Sequence, residues 1–575
     1  MDKLKMHTPN LADENFKKLA ALFPNAVTET MGDDGKVVRA IDADVLRQEI
    51  SATVVEGSHE RYQFTWPDKK KSVVLANQPI AKTLRLDRAK SVGRDGTLGN
   101  IDTDNIYIEG DNLDALKLLQ ETYLGKIKMI YIDPPYNTGN DFIYNDEFKV
   151  DGYDWSQMSG DYDDNGNRMV PNPNSNGRFH TDWLNMIYPR LKIAKDLLSD
   201  DGVIFISIDE NEINTLKDIC DEIFGRWNFV AELIWSAGRK NNSKHISVSH
   251  EYILCYFKSM QYITEHHIVW RERKQGLDAI YNAYESYRKK HGSNAKAIEK
   301  DLKAWYKSLP DGHPAKDHEH YNRIDEKGIF YADNISAPGG GGPRYDVLHP
   351  ITGKAVKIPS RGWITSESTM KKWIAEGRVQ FGDDENGVPT LKSYLKEREY
   401  SVPYSVIYKD GRAASKRLAT LMGDKVFEYP KDEEIIKRLI DFSGTSNDDI
   451  IMDFFSGSAT TAHAVMQLNA EDGGHRRFIL VQLPEVCATD SKAYRAGYKT
   501  ICDIGKERIR RAGRKILDER NVGVTPPPTP TSRWATQPKS RRYGKCDRQI
   551  ESVQRPRHRL SRLPRRLDEY ARRLL

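Results

Sequence analysis

The sequence of 575 residues lacks the features that mark a membrane or secreted protein. It has no run of about 18 consecutive apolar residues, which is the length a helix needs to cross a bilayer. Its first residues are polar and contain no apolar core of a secretory signal. We therefore expect a cytoplasmic protein.

Cysteine is scarce. The chain has five cysteines, which lie far apart and form no CxxC pair. Neither a disulfide framework nor a cysteine-rich zinc site is expected. His313, His318 and His320 are close in sequence, but no second group of ligands at zinc-site spacing accompanies them, so we predict no metal site.

Positive charge exceeds negative charge only slightly, and the excess is unevenly distributed along the chain. The 88 Lys and Arg residues exceed the 83 Asp and Glu residues by a net +5. Residues 522–575 alone hold 12 Arg and 2 Lys against 4 acidic residues, a net +10, so the rest of the chain carries −5. Net charge alone therefore gives no reason to expect a nucleic-acid partner for the body of the protein.

Strand-like and helix-like segments alternate from about residue 101. Apolar runs predict strands, and apolar residues at helical spacing predict helices. The predicted strands are 106–108, 127–132, 203–208, 450–455 and 478–483, and the predicted helices are 113–123, 183–198, 432–442, 460–468 and 500–519. This alternation predicts an α/β fold with a doubly wound, mostly parallel, Rossmann-like sheet.

Changes in this rhythm divide the chain into five segments. Residues 1–100 are polar with one amphipathic helix, and 101–225 form the first part of the sheet domain. Residues 226–400 lose the alternation and look like an insertion, whereas 401–521 resume it. Residues 522–575 are rich in Pro and Arg, and we expect them to be disordered.

A stiff loop rich in acceptors follows the strand 127–132. It consists of Asp133, Pro134, Pro135 and Tyr136. Because proline lacks a backbone N–H, the loop presents a carboxylate and carbonyl oxygens with few competing donors. Such a set suits an exocyclic amine, and the tyrosine ring offers a face for stacking on a heterocycle. A bare Asp-Pro-Pro is an ordinary turn, but the apolar strand before it and the Asn-Thr-Gly continuation favour a functional loop.

A tight turn of small residues lies between the strand 450–455 and the next helix. Its candidate ligand-binding residues are Asp453, Phe455, Ser456, Gly457 and Ser458. Small residues let the backbone approach a ligand, and a helix N-terminus offers unpaired N–H groups. Glu485 follows the next strand, where an acidic side chain can bind ribose hydroxyls. Alone, this turn is a weak signal, because a packed turn without a ligand has a similar composition.

Together the two motifs resemble the amino-group DNA methyltransferases that use S-adenosylmethionine. The Asp-Pro-Pro-Tyr loop precedes the Phe-Ser-Gly turn by about 320 residues, which is similar to the circularly permuted β class. Further segments resemble the Mod subunit of Type III restriction–modification systems. They are residues 108–113, 131–142, 205–212, 250–254, 455–465, 478–485 and 504–512.

The resemblance implies a site-specific, S-adenosylmethionine-dependent DNA adenine-N6 methyltransferase that acts on a flipped base. It places the Asp133 carboxylate and the Pro134 carbonyl on the target amine, with Tyr136 stacked on the base. It also assigns cofactor contacts to the Phe455–Ser456–Gly457 turn (amino-acid portion), Glu485 (ribose), Asp111 (adenine) and Lys431 (a segment closing over the methionine end). For Lys431 a solvated lysine at a helix terminus is the alternative.

The partners are also implied by the resemblance. The insertion at 226–400 would recognise double-stranded DNA, two copies would pair as a homodimer, and a Res-type helicase–nuclease subunit would associate, in a bacterial cytoplasm. Two alternatives differ in kind. One is a solitary Type II-like or phage β-class methyltransferase, for adenine N6 or, less in keeping with Asp133, cytosine N4. The other is a catalytically silent DNA-binding subunit.

Two features depart from the family pattern. Ala459 stands where the family often has a second glycine, and alanine is small enough to be compatible with cofactor binding. Residues 522–575 do not match the folded segment through which Mod subunits pair. A frame-shifted or replaced terminus, which would affect pairing or activity, is our hypothesis for this tail.

Overall fold

The computed structural model describes most of the chain in two compact units. The described residues are 11–23, 27–31, 37–41, 46, 64–94, 96–138, 142–144, 169–171, 179–236, 245–446 and 448–521. The first unit comprises Met1–Val269 and Tyr404–Leu575, and the second comprises Trp270–Pro403. The tail at 522–575, with its predicted disorder, lies outside the described residues.

The strands and helices follow the predicted alternation. The strands are β1 (Val27–Met31), β2 (Val37–Ile41), β3 (Ile106–Glu109), β4 (Ile127–Ile132), β5 (Phe142–Tyr144), β6 (Met169–Pro171), β7 (Leu198–Ile208), β8 (Phe229–Ser236), β9 (His250–Phe257), β10 (Glu272–Arg273), β11 (Arg323–Asp325), β12 (Gly328–Asp333), β13 (Val379–Gln380), β14 (Thr390–Tyr394), β15 (Tyr400–Ser401), β16 (Val406–Tyr408), β17 (Ile450–Asp453) and β18 (Arg477–Gln482). The helices are α1 (Leu11–Leu22), α2 (Lys69–Asn77), α3 (Asn112–Tyr123), α4 (Phe179–Leu197), α5 (Ile213–Cys220), α6 (Met260–Glu265), α7 (Leu277–His291), α8 (Ala295–Ser308), α9 (Glu367–Ala375), α10 (Arg412–Met422), α11 (Glu433–Phe442), α12 (Thr460–Asp472), α13 (Lys492–Arg495) and α14 (Ile501–Asn521). A π-helical turn spans Asp221–Gly225, and short 3-10 helices span Arg226–Asn228, Pro314–His318 and Leu395–Arg398.

The first unit is built on an eight-stranded sheet in the order β16-β8-β9-β7-β4-β17-β18-β3. Strand β9 runs antiparallel to both of its neighbours, and every other neighbouring pair is parallel. The predicted α/β fold with a mostly parallel sheet is confirmed. Strands β17 and β18, which follow the second unit in sequence, lie between β4 and β3, which precede it. The chain order and the sheet order are therefore permuted relative to each other.

Several predicted boundaries differ from those observed. The strand predicted at 203–208 begins at Leu198, and the one predicted at 450–455 ends at Asp453, which leaves both phenylalanines in the following turn. Helix α4 begins at Phe179 and continues through Pro189. The six residues of β4, by contrast, are all buried and have the predicted bounds. A strand that is buried along its whole length is the easiest element to read from an apolar run.

The second unit is smaller than the predicted insertion. It contains the antiparallel sheet β11-β12-β14-β13, the pair β10-β15, and the helices α7 and α8, whose apolar faces share a core around Leu277, Ile280 and Leu302. Strands β8 and β9, assigned from sequence to the insertion at 226–400, belong to the sheet of the first unit. The sequence between β8 and β9 has no apolar residues at helical spacing, so the alternation of predicted strands and helices gave no sign that both strands belong to the large sheet.

Among the described residues, no helix has the length and apolar character that crossing a membrane requires.

Candidate active site

Four loops converge at one edge of the eight-stranded sheet. Strands β4, β17, β18 and β3 are consecutive neighbours and run parallel. Their carboxyl ends meet at the same edge, where ligands bind in open α/β sheets. The loops that follow carry Asp133, the 453–459 turn, Glu485 and Asp111. The structure thus brings together motifs that lie about 320 residues apart in the sequence.

Two side-chain hydrogen bonds hold the Asp-Pro-Pro-Tyr loop in place. The indole N–H of Trp183 donates to the carbonyl oxygen of Pro135 at 2.8 Å. Asn137 adopts a left-handed conformation with a φ of 60°, and its amide donates to the buried Glu212 carboxylate at 2.6 Å. Left-handed backbone is tolerated better by Asn than by most residues, because its short polar side chain can bond locally. These contacts fix the loop on helices α4 and α5.

Lys431 lies against this loop and is not a solvated lysine. Its ammonium is 3.2 Å from Asp133 Oδ1 and 2.7 Å from Glu251 Oε2. It also donates to the Tyr136 hydroxyl and lies 4.6 Å from the centre of that ring. The solvated alternative for Lys431 is therefore wrong. The ring of Trp235, which faces Glu251 across β8 and β9, is 5.7 Å from the same ammonium.

Burial shifts the pKa values of Asp133 and Lys431. It raises the pKa of the Asp133 carboxyl, although Lys431 opposes the rise. Burial lowers the pKa of Lys431, but the carboxylates of Asp133 and Glu251 outweigh it, so the net shift is upward. The lysine is consequently charged and pairs with two carboxylates in a poorly solvated pocket.

The predicted cofactor turn joins β17 to α12. Asp453 is buried, and its carboxylate accepts from the Phe455 N–H at 3.1 Å and from the Thr461 hydroxyl at 2.6 Å. Gly457 has a φ of 49°, and its N–H donates to Gln482 Oε1 at 2.7 Å. The Gln482 amide in turn donates to Glu485 at 3.0 Å. One glutamine thus ties the turn to the acidic residue of the next strand.

Ala459, at the family's glycine position, has a φ of 61° and is fully buried. This left-handed conformation is strained for alanine by about 1–2 kcal/mol. The need for positive φ here explains why glycine is frequent at this position in the family. Ala459 occupies the N-cap position of helix α12 and makes no side-chain capping hydrogen bond there.

Asp111, for which a contact with the cofactor adenine is predicted, has a structural role in the protein. It caps helix α3 by accepting from the Asp114 N–H at 3.0 Å. Its other oxygen lies 3.4 Å from the buried guanidinium of Arg190. The neighbouring Asn112 amide donates to the carbonyl of Phe454 in the cofactor turn at 2.8 Å. The first loop of the sheet is thereby attached to the cofactor turn.

Arg508 of α14 also stabilises the cofactor turn at 453–459. Its side chain is almost completely buried and donates to the hydroxyls of Ser458 at 2.9 Å and Thr460 at 2.7 Å. It also lies 3.5 Å from the carboxylate of Glu433. Glu433 is the first residue of α11 and lies two positions after Lys431. Arg508 therefore connects the cofactor turn with the segment that carries the site lysine.

Sequence reasoning missed Glu251, Trp235 and Arg508. Glu251 and Arg508 lie in segments whose resemblance to Mod subunits is stated above, but the resemblance gave neither a role. A local signal existed for Arg508, because it stands at helical spacing between Ile504 and Ala512, both of which are buried. For Glu251 the signal was a carboxylate in an otherwise apolar strand.

The described residues contain no group of three or more His, Cys, Asp and Glu side chains arranged to hold a metal ion. The histidines at 313, 318 and 320 do not form a common site. His313 caps a 3-10 helix by accepting from the Ala315 N–H, and His318 bonds to the carbonyl of Gln275.

Comparison with known proteins decides the family. A model of the DNA methylase family matches residues 127–512. The Mod subunit of the Type III restriction–modification enzyme EcoP15I from Escherichia coli is 36% identical over 510 residues, which cover 88% of this chain and 76% of that protein. The EcoPI Mod subunit of Escherichia phage P1 is 33% identical over 518 residues, with 87% and 75% covered. This chain belongs to the Type III Mod subunits of the DNA methylase family.

Membership confirms the prediction of an S-adenosylmethionine-dependent DNA methyltransferase of the Type III Mod kind. A Type II methyltransferase, M.KpnI of Klebsiella pneumoniae, is also similar, with 29% identity over 419 residues that cover 71% of this chain and 87% of that protein. The Mod subunit is therefore also similar in sequence to a methyltransferase of another restriction–modification type.

The residues of the Mod subunit fit its cofactor chemically. S-adenosylmethionine carries a sulfonium, an ammonium, ribose hydroxyls and a carboxylate. Asp453 and Glu485 would supply acceptors for the cationic and hydroxyl groups, and the N-terminus of α12 would supply N–H groups for a carboxylate. Burial raises the pKa of both Asp453 and Glu485 to about 7, so a cationic ligand would favour their ionised forms.

The raised pKa of Asp453 predicts a pH dependence of stability. An unfolded aspartate titrates near about 3.9, whereas the folded one titrates near about 7. Between these values the folded state holds a proton that the unfolded state releases. The contribution of Asp453 to the free energy of unfolding is thus complete below about pH 4. It is lost as the pH rises through about 7, at up to about 1.4 kcal/mol per pH unit.

We expect Asp453→Asn to flatten this dependence. Urea unfolding of the cofactor-free protein between about pH 5 and about pH 8 measures it. Glu485→Gln should likewise reduce the decrease of the free energy of unfolding with rising pH. Parallel profiles for wild type and Asp453→Asn would show that Asp453 does not hold the proton.

Proposed function

We propose that this Mod subunit transfers a methyl group to the N6 amine of adenine in double-stranded DNA. The observation that carries the proposal is the adjacency of β4 and β17. It sets the Asp133 carboxylate and the Tyr136 ring beside the turn at 453–459, at one edge of the sheet. A methyl acceptor and a methyl donor held by these two loops would be neighbours.

The loop chemistry suits an amine whose lone pair is delocalised into a ring. Acceptors on both N–H bonds favour the tetrahedral nitrogen, whose lone pair is free to attack. Asp133 supplies one acceptor and the Pro134 carbonyl the other, since the Pro135 carbonyl already accepts from Trp183. Tyr136 stacks on the base, which has to leave the duplex at a cost of a few kcal/mol. S-adenosylmethionine supplies a reactive methyl sulfonium, so alignment contributes much of the acceleration.

Adenine is favoured over cytosine by Asp133. Among the amino-group DNA methyltransferases that the sequence resembles, cytosine-N4 enzymes more often have serine at the first position of this loop. The amine of either base would find the same two acceptors. The distinction therefore depends on the carboxylate at Asp133 and on the shape of the space around Tyr136.

The second unit is the proposed DNA-recognition domain. It holds 23 Lys and Arg residues against 19 acidic ones, a net +4, whereas the chain without its tail carries −5. Helices α7 and α8 expose Arg288, Lys289, Lys290, Lys296, Lys300, Lys303 and Lys307. Exposed basic side chains neutralise phosphates and hold a protein on DNA independently of sequence. This concentration of positive charge supports a DNA contact by the second unit.

Pairing of two copies and association with a Res-type helicase–nuclease belong to the same proposal, as does action in a bacterial cytoplasm. Membership among the Type III Mod subunits supports a Res partner. Co-purification with a co-expressed Res subunit, followed by sedimentation of the complex, would report both associations.

Incubation of the purified protein with tritiated S-adenosylmethionine and duplex DNA tests the proposal. Label recovered as N6-methyladenine after digestion to nucleosides is the expected result. Label in N4-methylcytosine would overturn the adenine assignment, and retained DNA binding without label would favour a silent DNA-binding subunit. Methylation-sensitive sequencing of DNA from an expressing host would then give the recognition site and the modified strand.

A further inference from the structure

The ammonium of Lys431 contacts the Asp133 carboxylate and the Tyr136 ring, which are the groups that the target base needs. It lies 3.2 Å from Asp133 Oδ1 and 4.6 Å from the centre of the Tyr136 ring, and it donates to the tyrosine hydroxyl. The proposed function assigns the same carboxylate to the target amine and the same ring to stacking. The target amine therefore competes with the ammonium for the charge of Asp133, and the base competes with it for the face of the Tyr136 ring.

Glu251 offers the ammonium a second carboxylate at 2.7 Å. Both side chains are largely shielded, with 13% of each exposed. A buried charge is costly unless it keeps a partner, because water no longer solvates it. With Glu251 present, Lys431 keeps an ion pair when Asp133 turns to the base. Without Glu251, Asp133 is the carboxylate that remains to the lysine among the described residues, so the lysine competes with the base for it.

We propose that Glu251 is a positioning residue of the methyl transfer, which acts by holding the Lys431 ammonium so that Asp133 is released to the target amine. This inference rests on the proposed function of the site. Among the residues that the structure describes, four groups face the ammonium: Asp133 at the end of β4, Tyr136 in the loop, Glu251 on β9 and Trp235 on β8. Glu251 is the carboxylate among them that the proposed reaction does not assign to the base.

The inference predicts a specific kinetic defect for Glu251→Gln. The KM for DNA should rise about tenfold, with a smaller change in kcat, because the ammonium now competes with the base for Asp133. Glu251→Asp keeps the charge and should recover most of the loss. Glu232→Gln, a partly buried carboxylate on the neighbouring strand β8, is the matched control and should stay within about twofold of wild type.

A double-mutant cycle tests whether Glu251 acts through Lys431. In a Lys431→Met background no ammonium competes for Asp133, so adding Glu251→Gln should change the KM for DNA by less than about twofold. An equal effect of Glu251→Gln in both backgrounds would overturn the inference, as would a single variant that behaves like wild type. Thermal unfolding of each variant reports folding, and Glu251→Asp provides the comparison if Glu251→Gln is poorly folded.

Base flipping gives a readout that does not depend on methyl transfer. With 2-aminopurine next to the target adenine, which keeps its N6 amine, the fluorescence that rises when the adenine leaves the stack should be lower for Glu251→Gln than for wild type, and it should recover in the double variant. Unchanged fluorescence in Glu251→Gln would contradict the inference. Absence of methylation by the wild type would instead contradict the proposed function, so the two failures are distinguishable.

Discussion

Asp133→Ala should abolish methyl transfer, with a loss of about a thousandfold or more in kcat, while binding of S-adenosylmethionine persists. The carboxylate is the charged acceptor of the loop, and its hydrogen bond to the amine strengthens as positive charge develops on the attacking nitrogen. Interactions of this kind act mainly in the transition state, where removal of one typically costs about 10² to 10³ in rate. Loss of the carboxylate also leaves Lys431 with Glu251 as its remaining carboxylate partner.

The persistence of cofactor binding follows from the arrangement of the loops. The turn that holds Gly457 is fixed by Gln482 and Arg508, neither of which contacts the Asp133 carboxylate by a hydrogen bond. Isothermal titration with S-adenosylmethionine should therefore give an affinity within about threefold of wild type, whereas transfer of tritium to DNA is lost. Asp133→Asn keeps the shape and one acceptor, so a partial loss of about a hundredfold is expected.

Asp209→Ala is the matched control. Asp209 directly follows β7, the neighbour of β4, at the same edge of the sheet, and its carboxylate accepts from the N–H of Asn211. Activity within about threefold of wild type is expected, because surface turn contacts contribute little. If Asp133→Ala retained more than about a tenth of the wild-type rate, the role assigned to this carboxylate would be wrong.

Much of the site was predictable because each motif is local. The strand 127–132 is apolar except for Lys128, and the loop after it is marked by two prolines, so both the element and its candidate role follow from adjacent residues. The same holds for the small residues after β17. Their convergence was predictable as well, since parallel strands in one sheet share an edge for their carboxyl ends.

The pairing of side chains distant in sequence was not predictable. Lys431 and Glu251 are 180 positions apart, and Lys431 and Tyr136 are 295 apart, so no periodicity connects them. The extent of the second unit was missed for a related reason. Strands β8 and β9 look like ordinary short apolar segments, and their membership in the large sheet is decided by pairing with β7 and β16. Tertiary contacts determine both features.

Arg508→Met should destabilise the protein by about 3–5 kcal/mol and weaken S-adenosylmethionine binding. The guanidinium is buried, and burial lowers its pKa to about 10. Its removal leaves the Glu433 carboxylate without this positive neighbour and the Ser458 and Thr460 hydroxyls without their donor. Breaking a buried pair from one side is costly because the remaining charge stays desolvated. The turn that these hydroxyls anchor would lose its fixed position.

Urea unfolding and calorimetric titration with S-adenosylmethionine measure the two effects of Arg508→Met. Arg514→Met is the control, because it removes an exposed arginine of the same helix and should change stability by less than about 0.5 kcal/mol. Glu433 also pairs with Arg417 at 2.5 Å, so Glu433→Gln should be destabilising too, but less than additively with Arg508→Met. Unchanged cofactor affinity in a folded Arg508→Met protein would show that the turn holds its shape without α14, and that Arg508 serves stability alone.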